Sequence, residues 1–420
     1  MRTALVLLTL CYIATTGRAD DLAARARKLV HEAIVVDGHL DAPDQLSEKW
    51  ADVAKRGATD HFDLPRAKEG GLTAPFFSIF VSPAFEHGGA ARHALELIDL
   101  TRRVVADHPA ELVMASSVAD IRAAKQAGKL AVLMGLEGGH ALEDSLGVLR
   151  ELYQAGVRYV TLTHMNTNHW ADSSGAFLLP DFDPKTYDVH HGLTGFGREM
   201  VKEMNRIGMI VDISHTSDAT VDAVLAVSRA PVLASHSSCR ALTDMPRDLT
   251  DDQLKRIAAK HGVVMINIGS QFISTKTWTA FVAMRTKLAP AFAKLQHDHP
   301  GDLKAQVEGL FGLYAKQPPL PRATLADVAD HIEHVIKVAG IEAVGLGTDF
   351  DGIKDPPVGL EDYSKLPSLV EELLRRGHSD DDIKKILGEN FLAFLARVEA
   401  TRAALVKEPP GTAVYKPDAK

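Results

Sequence analysis

The chain has 420 residues, 46% of them hydrophobic, with 47 Lys and Arg against 55 Asp and Glu for a formal charge of −8. That much apolar sequence supports a large core, as one barrel or two ordinary domains, and the acidic balance excludes the basic footprint of a nucleic-acid binder. Cysteine occurs twice; one copy, Cys11, lies in the leader described next, so Cys239 remains alone and no intramolecular disulfide is available.

The chain opens MRTALVLLTLCYIATTGRAD. Arg2, an apolar stretch from Ala4 to Ala14, and small residues at Gly17 and Ala19 form the pattern of a secretory signal peptide cut after Ala19. Residues 1–19 are therefore expected to be removed, leaving 20–420 as a secreted or periplasmic protein. The apolar stretch is short for a membrane span. Leu10 is larger than the small residue that precedes a lipidated cysteine, which argues against an anchor through Cys11. No later segment has the length and apolarity of a transmembrane helix, and the tail PPGTAVYKPDAK carries no hydrophobic attachment signal.

Eight short apolar runs, rich in β-branched residues, follow at 34–36, 74–81, 130–136, 157–163, 209–213, 231–234, 263–268 and 343–346. Segments of helical period separate them. A helix is predicted over 142–155, stopping before Gly156; another over 217–228 starts at Ser217 and Asp218; a third over 250–261 starts TDDQL and stops at Gly262. Strands alternating with helices make right-handed βαβ units on a parallel sheet, and eight of them predict an α/β fold of the (β/α)8 TIM barrel type. The stretch 269–322, after the seventh run, contains QFISTKTW, an Ala-rich helical segment and the breaker PPLPR. It is expected to be an insertion over the active-site face of a single catalytic domain, serving as lid and specificity element.

Polar residues gather where these runs end. His39 and Asp41 sit two apart in VVDGHLD, so a strand points both the same way. Glu137 ends LAVLMGLE ahead of two glycines, His164 ends VTLTH, His215 ends MIVDISH, His236 ends PVLASH, and Asp349 ends VGLGTD. Imidazole nitrogen and carboxylate oxygen suit Zn²⁺, and a carboxylate such as Glu137 can bridge two ions. Each residue alone has a plainer reading: turn acid, helix cap or core histidine. Together they gather at one end of a parallel barrel, where metal-assisted hydrolysis is built, with two ions about 3.5–4 Å apart activating a hydroxide. His164 is either a ligand or a group that polarises a substrate carbonyl. Asp349, preferred over Asp351, is an acid/base candidate, and Asp37 a structural acid. His190, His191, His297 and His299 lack a strand-end setting, with QHDHP read as a solvated loop. Trp170 and the ADSS that follows are pocket-shaping or packing residues.

At these residues the chain resembles the membrane dipeptidase, or renal dipeptidase, family of zinc peptidases. The resemblance runs from VVDGHLD through EGGHALEDSLGVLRELYQAGVRYVTLTHMNTNHWADSS, VDISHTS, SHSSCRAL and GLGTDFDG to ILGENFLAFLARV, nearly the whole mature chain. It implies a metal-dependent-hydrolase barrel with two Zn²⁺ per subunit. His39 and Asp41 would hold one ion, His215 and His236 the other, and Glu137 would bridge them. His164 would face the substrate carbonyl, Arg247 in DMPRDL would receive the substrate carboxylate, and Asp349 would carry protons. The implied activity is hydrolysis of dipeptides with an L- or D-residue at the C-terminal position, by a metal-bridging hydroxide, in a homodimer. INIGSQFIS lacks a tyrosine where animal relatives place an aromatic contact, and their lipid-attachment tail is absent. A barrel amidohydrolase acting on N-acyl amino acids or cyclic amides remains the alternative within the enzyme class, and a metal-dependent binding protein the alternative outside it.

Overall fold

Buried runs of β-branched residues, each too short to satisfy its backbone alone, pair edge to edge in the computed structural model, which describes residues 21–416. The signal peptide expected at 1–19 lies outside the described residues. Nine strands form: β1 (Val36–Leu40), β2 (Ala74–Phe80), β3 (Leu112–Met114), β4 (Leu130–Glu137), β5 (Val157–Thr161), β6 (Ile210–Asp212), β7 (Leu233–Ala234), β8 (Val263–Ile266) and β9 (Val344–Leu346). All pair in parallel, and β1–β2–β4–β5–β6–β7–β8–β9 close into a ring through the pairing of Asp37 with Leu346. This is the (β/α)8 barrel that the eight runs predict.

Two strands depart from the sequence reading. β3 stands outside the ring, beside Leu130–Val132 at the start of β4, while β2 takes Leu133 to Glu137 of the same strand. Three residues carry too little periodicity to be read as a strand. β1 begins where the first apolar run ends and continues through VDGHL, every residue buried. Burial of Asp37 is tolerated because its carboxylate accepts from Thr348 N at 2.8 Å, Thr348 Oγ1 at 2.5 Å and the Tyr363 hydroxyl.

Helix starts follow their caps. Ser217 Oγ accepts from Thr220 N to open Asp218–Val227, and Thr250 with Gln253 makes a capping box for Asp251–Ala259. The helix predicted from residue 142 begins instead at Leu146 behind the cap Ser145. Gly139–Leu142 winds as a 3-10 turn, and Glu143 and Asp144, at φ 46° and 53°, reverse the chain before the helix can start.

The stretch 269–322 is helical over Ser270–Ile273, Thr275–Asp298 and Leu303–Ala315. His297 and Asp298 form the last turn of the second of these, capped by His299, rather than the predicted loop. The segment rests on loops that leave the C-terminal ends of the strands. Arg285 Nη1 donates to Phe177 O at 2.5 Å beyond β5, and Arg322 Nε donates to Pro356 O at 2.7 Å beyond β9.

The barrel interior is filled rather than hollow. An aromatic column runs up from Phe391, at the start of the helix Asn390–Leu405, to Phe76 at 5.4 Å, Tyr159 at 5.0 Å and the ring of His39 at 6.4 Å, centroid to centroid. Gly135 makes room for it: a Cβ there would lie 1.9 Å from Tyr159 Cζ. Among the described residues no helix is long and apolar enough to cross a membrane.

Candidate active site

Because all the ring strands run in parallel, their C-terminal ends share one face, and side chains at those ends converge. His39 comes from β1, Asp41 from just beyond it, Glu137 from the last position of β4, and His164, His215, His236 and Asp349 from the turns after β5, β6, β7 and β9. The structure brings all seven together. His39, Asp41 and Glu137 offer ligand atoms within 4.8 Å of one another, as do Glu137, His164 and His215, and His39, His236 and Asp349. Asp351 stays apart from these groupings: its carboxylate accepts from His61 N at 2.7 Å.

Glu137 faces two ways. Its Oε2 lies 3.4 Å from His39 Nε2, which is itself 3.4 Å from Asp41 Oδ2. Its Oε1 lies 3.1 Å from His215 Nε2 and 3.4 Å from His236 Nε2. Burial works against ionisation of Glu137, but His39, His164 and hydrogen bonding from His215 and His236 outweigh it and hold the carboxyl well below the usual range. Burial lowers His164, His215 and His236. His39 Nε2 is buried and has no hydrogen-bond partner among the described residues. The imidazoles of His215 and His236, the carboxylates of Asp41 and Glu137, and the orphaned His39 nitrogen beside them are the nitrogen and oxygen donors that suit zinc, so the residues fit the metal.

A surrounding layer holds these groups. Tyr159 OH bonds His39 Nδ1 at 2.8 Å, and Ser235 Oγ bonds His236 Nδ1 at 2.7 Å while also donating to Asp212 at 2.6 Å. Asn267 Nδ2 donates to Asp349 Oδ2 at 2.8 Å. The ADSS segment ties two loops together: Ser174 N donates to His215 O at 2.8 Å, and Ser173 Oγ bonds His164 O. Trp170 is wholly buried, and a Cβ on Gly139 would meet its ring at 2.7 Å, so this tryptophan packs the glycine turn after Glu137. His215 and Asp349 both sit at positive φ, 65° and 61°. Non-glycine residues adopt that region at a cost, and such strain clusters where geometry serves function.

Burial, with the charges of Asp41 and Glu137, pushes Asp349 up to about 8; His39 and the Asn267 hydrogen bond act the other way. Cations in the cluster would join them, since their charge favours the carboxylate. Arg247, 4% exposed, braces the loop that carries His236. Its Nη1 donates to Ser237 Oγ at 2.7 Å and Nη2 to His236 O at 2.8 Å, both uncharged acceptors. Its Nε has no partner among the described residues.

Residues 23–408 match the family model described as membrane dipeptidase. The chain belongs to the membrane dipeptidase family. It is accordingly a metallopeptidase of the dipeptidase class, a hydrolase. The chain is 34% identical over 404 residues to an uncharacterized dipeptidase of Schizosaccharomyces pombe, covering 91% of this chain and 85% of that one. Among solved structures, the probable dipeptidase PvdM of Pseudomonas aeruginosa superposes with a TM-score of 0.78 at 28% identity, covering 91% of this chain and 99% of that one. A metallo peptidase of Rhodobacter sphaeroides, liganded with a phosphinate mimic of L-Ala-D-Ala, superposes at 0.69 with 25% identity over 87% of this chain and 99% of its own.

Tyr159, Asn267, Ser235 and Asp212 were not singled out by the sequence reading. Asn267 ends an apolar run, VVMIN, so the rule that selects Asp349 also selects it once amides are admitted. Tyr159 sits inside a strand-forming run, where nothing distinguishes a hydrogen-bonding phenol from a packing one.

Proposed function

We propose that this family member hydrolyses dipeptides carrying an L- or D-residue at the C-terminal position, at a centre of two zinc ions bridged by Glu137. The observation that carries the reading is the two-sided Glu137 carboxylate, one oxygen toward His39 and Asp41 and the other toward His215 and His236. Two zinc ions held there would polarise the scissile carbonyl and supply a hydroxide at neutral pH.

The chain's own groups do the rest. Asn267 occupies Asp349 Oδ2, which leaves Oδ1 to take a proton from the attacking water and return it to the nitrogen of the breaking C–N bond. His164, kept neutral by burial, donates to the carbonyl oxygen as charge develops there. Arg247 receives the substrate's free carboxylate through the N–H groups its neutral partners leave over. The D-residue at the C-terminal position draws support from the ligand of the Rhodobacter sphaeroides structure. The stretch 269–322 serves as a lid over this face, the leader at 1–19 directs export, and the enzyme works as a homodimer.

Zinc-replete protein offered Ala-Ala, Ala-D-Ala and N-acetyl-alanine tests the reading. Release of alanine from the dipeptides supports it; release from N-acetyl-alanine alone supports an amidohydrolase; release from no dipeptide overturns it. Arg247→Ala should lower kcat/KM by roughly 10- to 100-fold, the worth of a hydrogen bond to a charged group. A smaller loss on dipeptides than on carboxyl-amidated analogues removes Arg247 from this role.

A further inference from the structure

Of the three histidines nearest Glu137, two are held by the ring. Tyr159 OH meets His39 Nδ1 and Ser235 Oγ meets His236 Nδ1, the usual means by which the far nitrogen of a ligating histidine is fixed. His215 is the exception. Its Nδ1 is buried and has no hydrogen-bond partner among the described residues, and its backbone sits at φ 65°, where a residue with a side chain is strained. Such a conformation persists only where the surroundings over-determine it.

The backbone supplies that restraint. His215 O accepts from Ser174 N at 2.8 Å, Thr163 Oγ1 at 2.9 Å and Ser174 Oγ at 3.1 Å, and Ser173 Oγ stands 3.3 Å away. The carbonyl and the side chain leave the same α-carbon, so a carbonyl gripped from several directions also aims the ring. Ser173 Oγ donates at closer range to His164 O, which sets the loop beyond β5 from the same point. Ser173 also pairs with Thr216 across an antiparallel bridge.

The platform beneath the two serines is fixed independently. Asp172, wholly buried, takes the backbone N–H groups of Val189 at 3.1 Å, His190 at 3.0 Å and Gly192 at 2.8 Å on its carboxylate. Its carbonyl accepts from Thr220 Oγ1 at 2.9 Å. A buried carboxylate satisfied by three amides pins the chain on either side of it, and Ser173 and Ser174 follow directly.

We propose that Ser173 and Ser174 are positioning residues for the metal centre. Through backbone carbonyls they set His215 as a ligand and His164 beside it, the task that Tyr159 and Ser235 perform on ring nitrogens for His39 and His236. This rests on the zinc reading above and adds to it the groups that aim the ligand whose ring is not held.

The test is zinc binding, measured by competition with a chromophoric chelator and resolved into its two steps. His215→Ala marks the step that His215 serves. Ser173→Ala combined with Ser174→Ala should weaken that same step by roughly 10- to 100-fold and leave the other unchanged. Equal weakening of both steps overturns the assignment, because a loosened fold spares neither. Unchanged affinity overturns it as well. If the double variant does not fold, Ser174→Ala, which keeps the Ser174 N–H on His215 O, carries the test with a smaller loss confined to that step. A wild type that takes up one ion refutes the paired centre and not this assignment, whose measure is then whether the serine variant weakens the ion that His215→Ala weakens. A wild type that takes up none overturns both.

Discussion

His215 Nε2 lies 3.0 Å from His236 Nε2, and both approach the same oxygen of Glu137. Burial foremost keeps both rings neutral, so ring lone pairs and a carboxylate oxygen are pressed together with too few protons to join them all. A cation resolves this, and the folded state should depend on one. Zinc at a thousand times its dissociation constant should stabilise the fold by about 4 kcal/mol. Chelated protein should melt several degrees lower, with zinc restoring the transition and magnesium, an oxygen-seeking ion, failing to do so. Superimposable melting curves with and without zinc would show that the cluster holds no metal.

Tyr159→Phe keeps the ring in its column and deletes the hydroxyl that bonds His39 Nδ1. Groups that orient a ligating histidine are typically worth about 10- to 100-fold in metal affinity. Zinc competition against a chromophoric chelator should show a loss of that size, with the melting temperature of the metal-free protein little changed. An unaltered affinity would remove Tyr159 from the support of the site.

Gly135→Ala should be among the most damaging single-methyl changes in the chain. The added Cβ would lie 1.9 Å from Tyr159 Cζ and 2.2 Å from Cε2, inside a wall of the barrel that has no slack. Overpacking of a tight core costs about 1–3 kcal/mol and occasionally more. Denaturant titration of the metal-free variant should show a stability loss of that order, and Gly135→Ala should cost less in a Tyr159→Ala background than in the wild type. Full wild-type stability in Gly135→Ala would mean that the column is looser than its geometry shows.

His331 should make the fold acid-sensitive. Burial foremost pushes it down to about 4, and its Nδ1 accepts from Cys239 N at 3.1 Å. Above pH ~6.5 the ring is neutral in both folded and unfolded chains and contributes no pH dependence. Between pH ~6.5 and 4 the unfolded chain takes up a proton that the folded one refuses, so stability falls by about 3 kcal/mol across that window. His331→Asn can still accept from Cys239 N but does not titrate. Its stability should fall less steeply across the same window, whatever its absolute value; an unchanged slope would clear His331 of the effect.

The barrel was legible because the ring strands fall in short buried apolar runs and several of the helices between them carry a side-chain cap, as at Ser217 and Thr250. The seven strand-end residues were legible for a related reason: a His or Asp where an apolar run stops is unusual enough to notice. β3 was not legible, since Leu112–Met114 is short and its Val113 is exposed. The late start of the helix at Leu146 depends on two backbone reversals that Glu143 and Asp144 do not advertise.

The column from Phe391 to His39 closes the barrel beneath the site. A reaction chamber with a solid floor has one doorway. With that floor closed, both amino acids released from a dipeptide leave by the C-terminal face of the barrel before the next substrate can enter. Turnover at saturating substrate is therefore open to competition from its own products, and free amino acids are the natural probes of how long that doorway stays occupied.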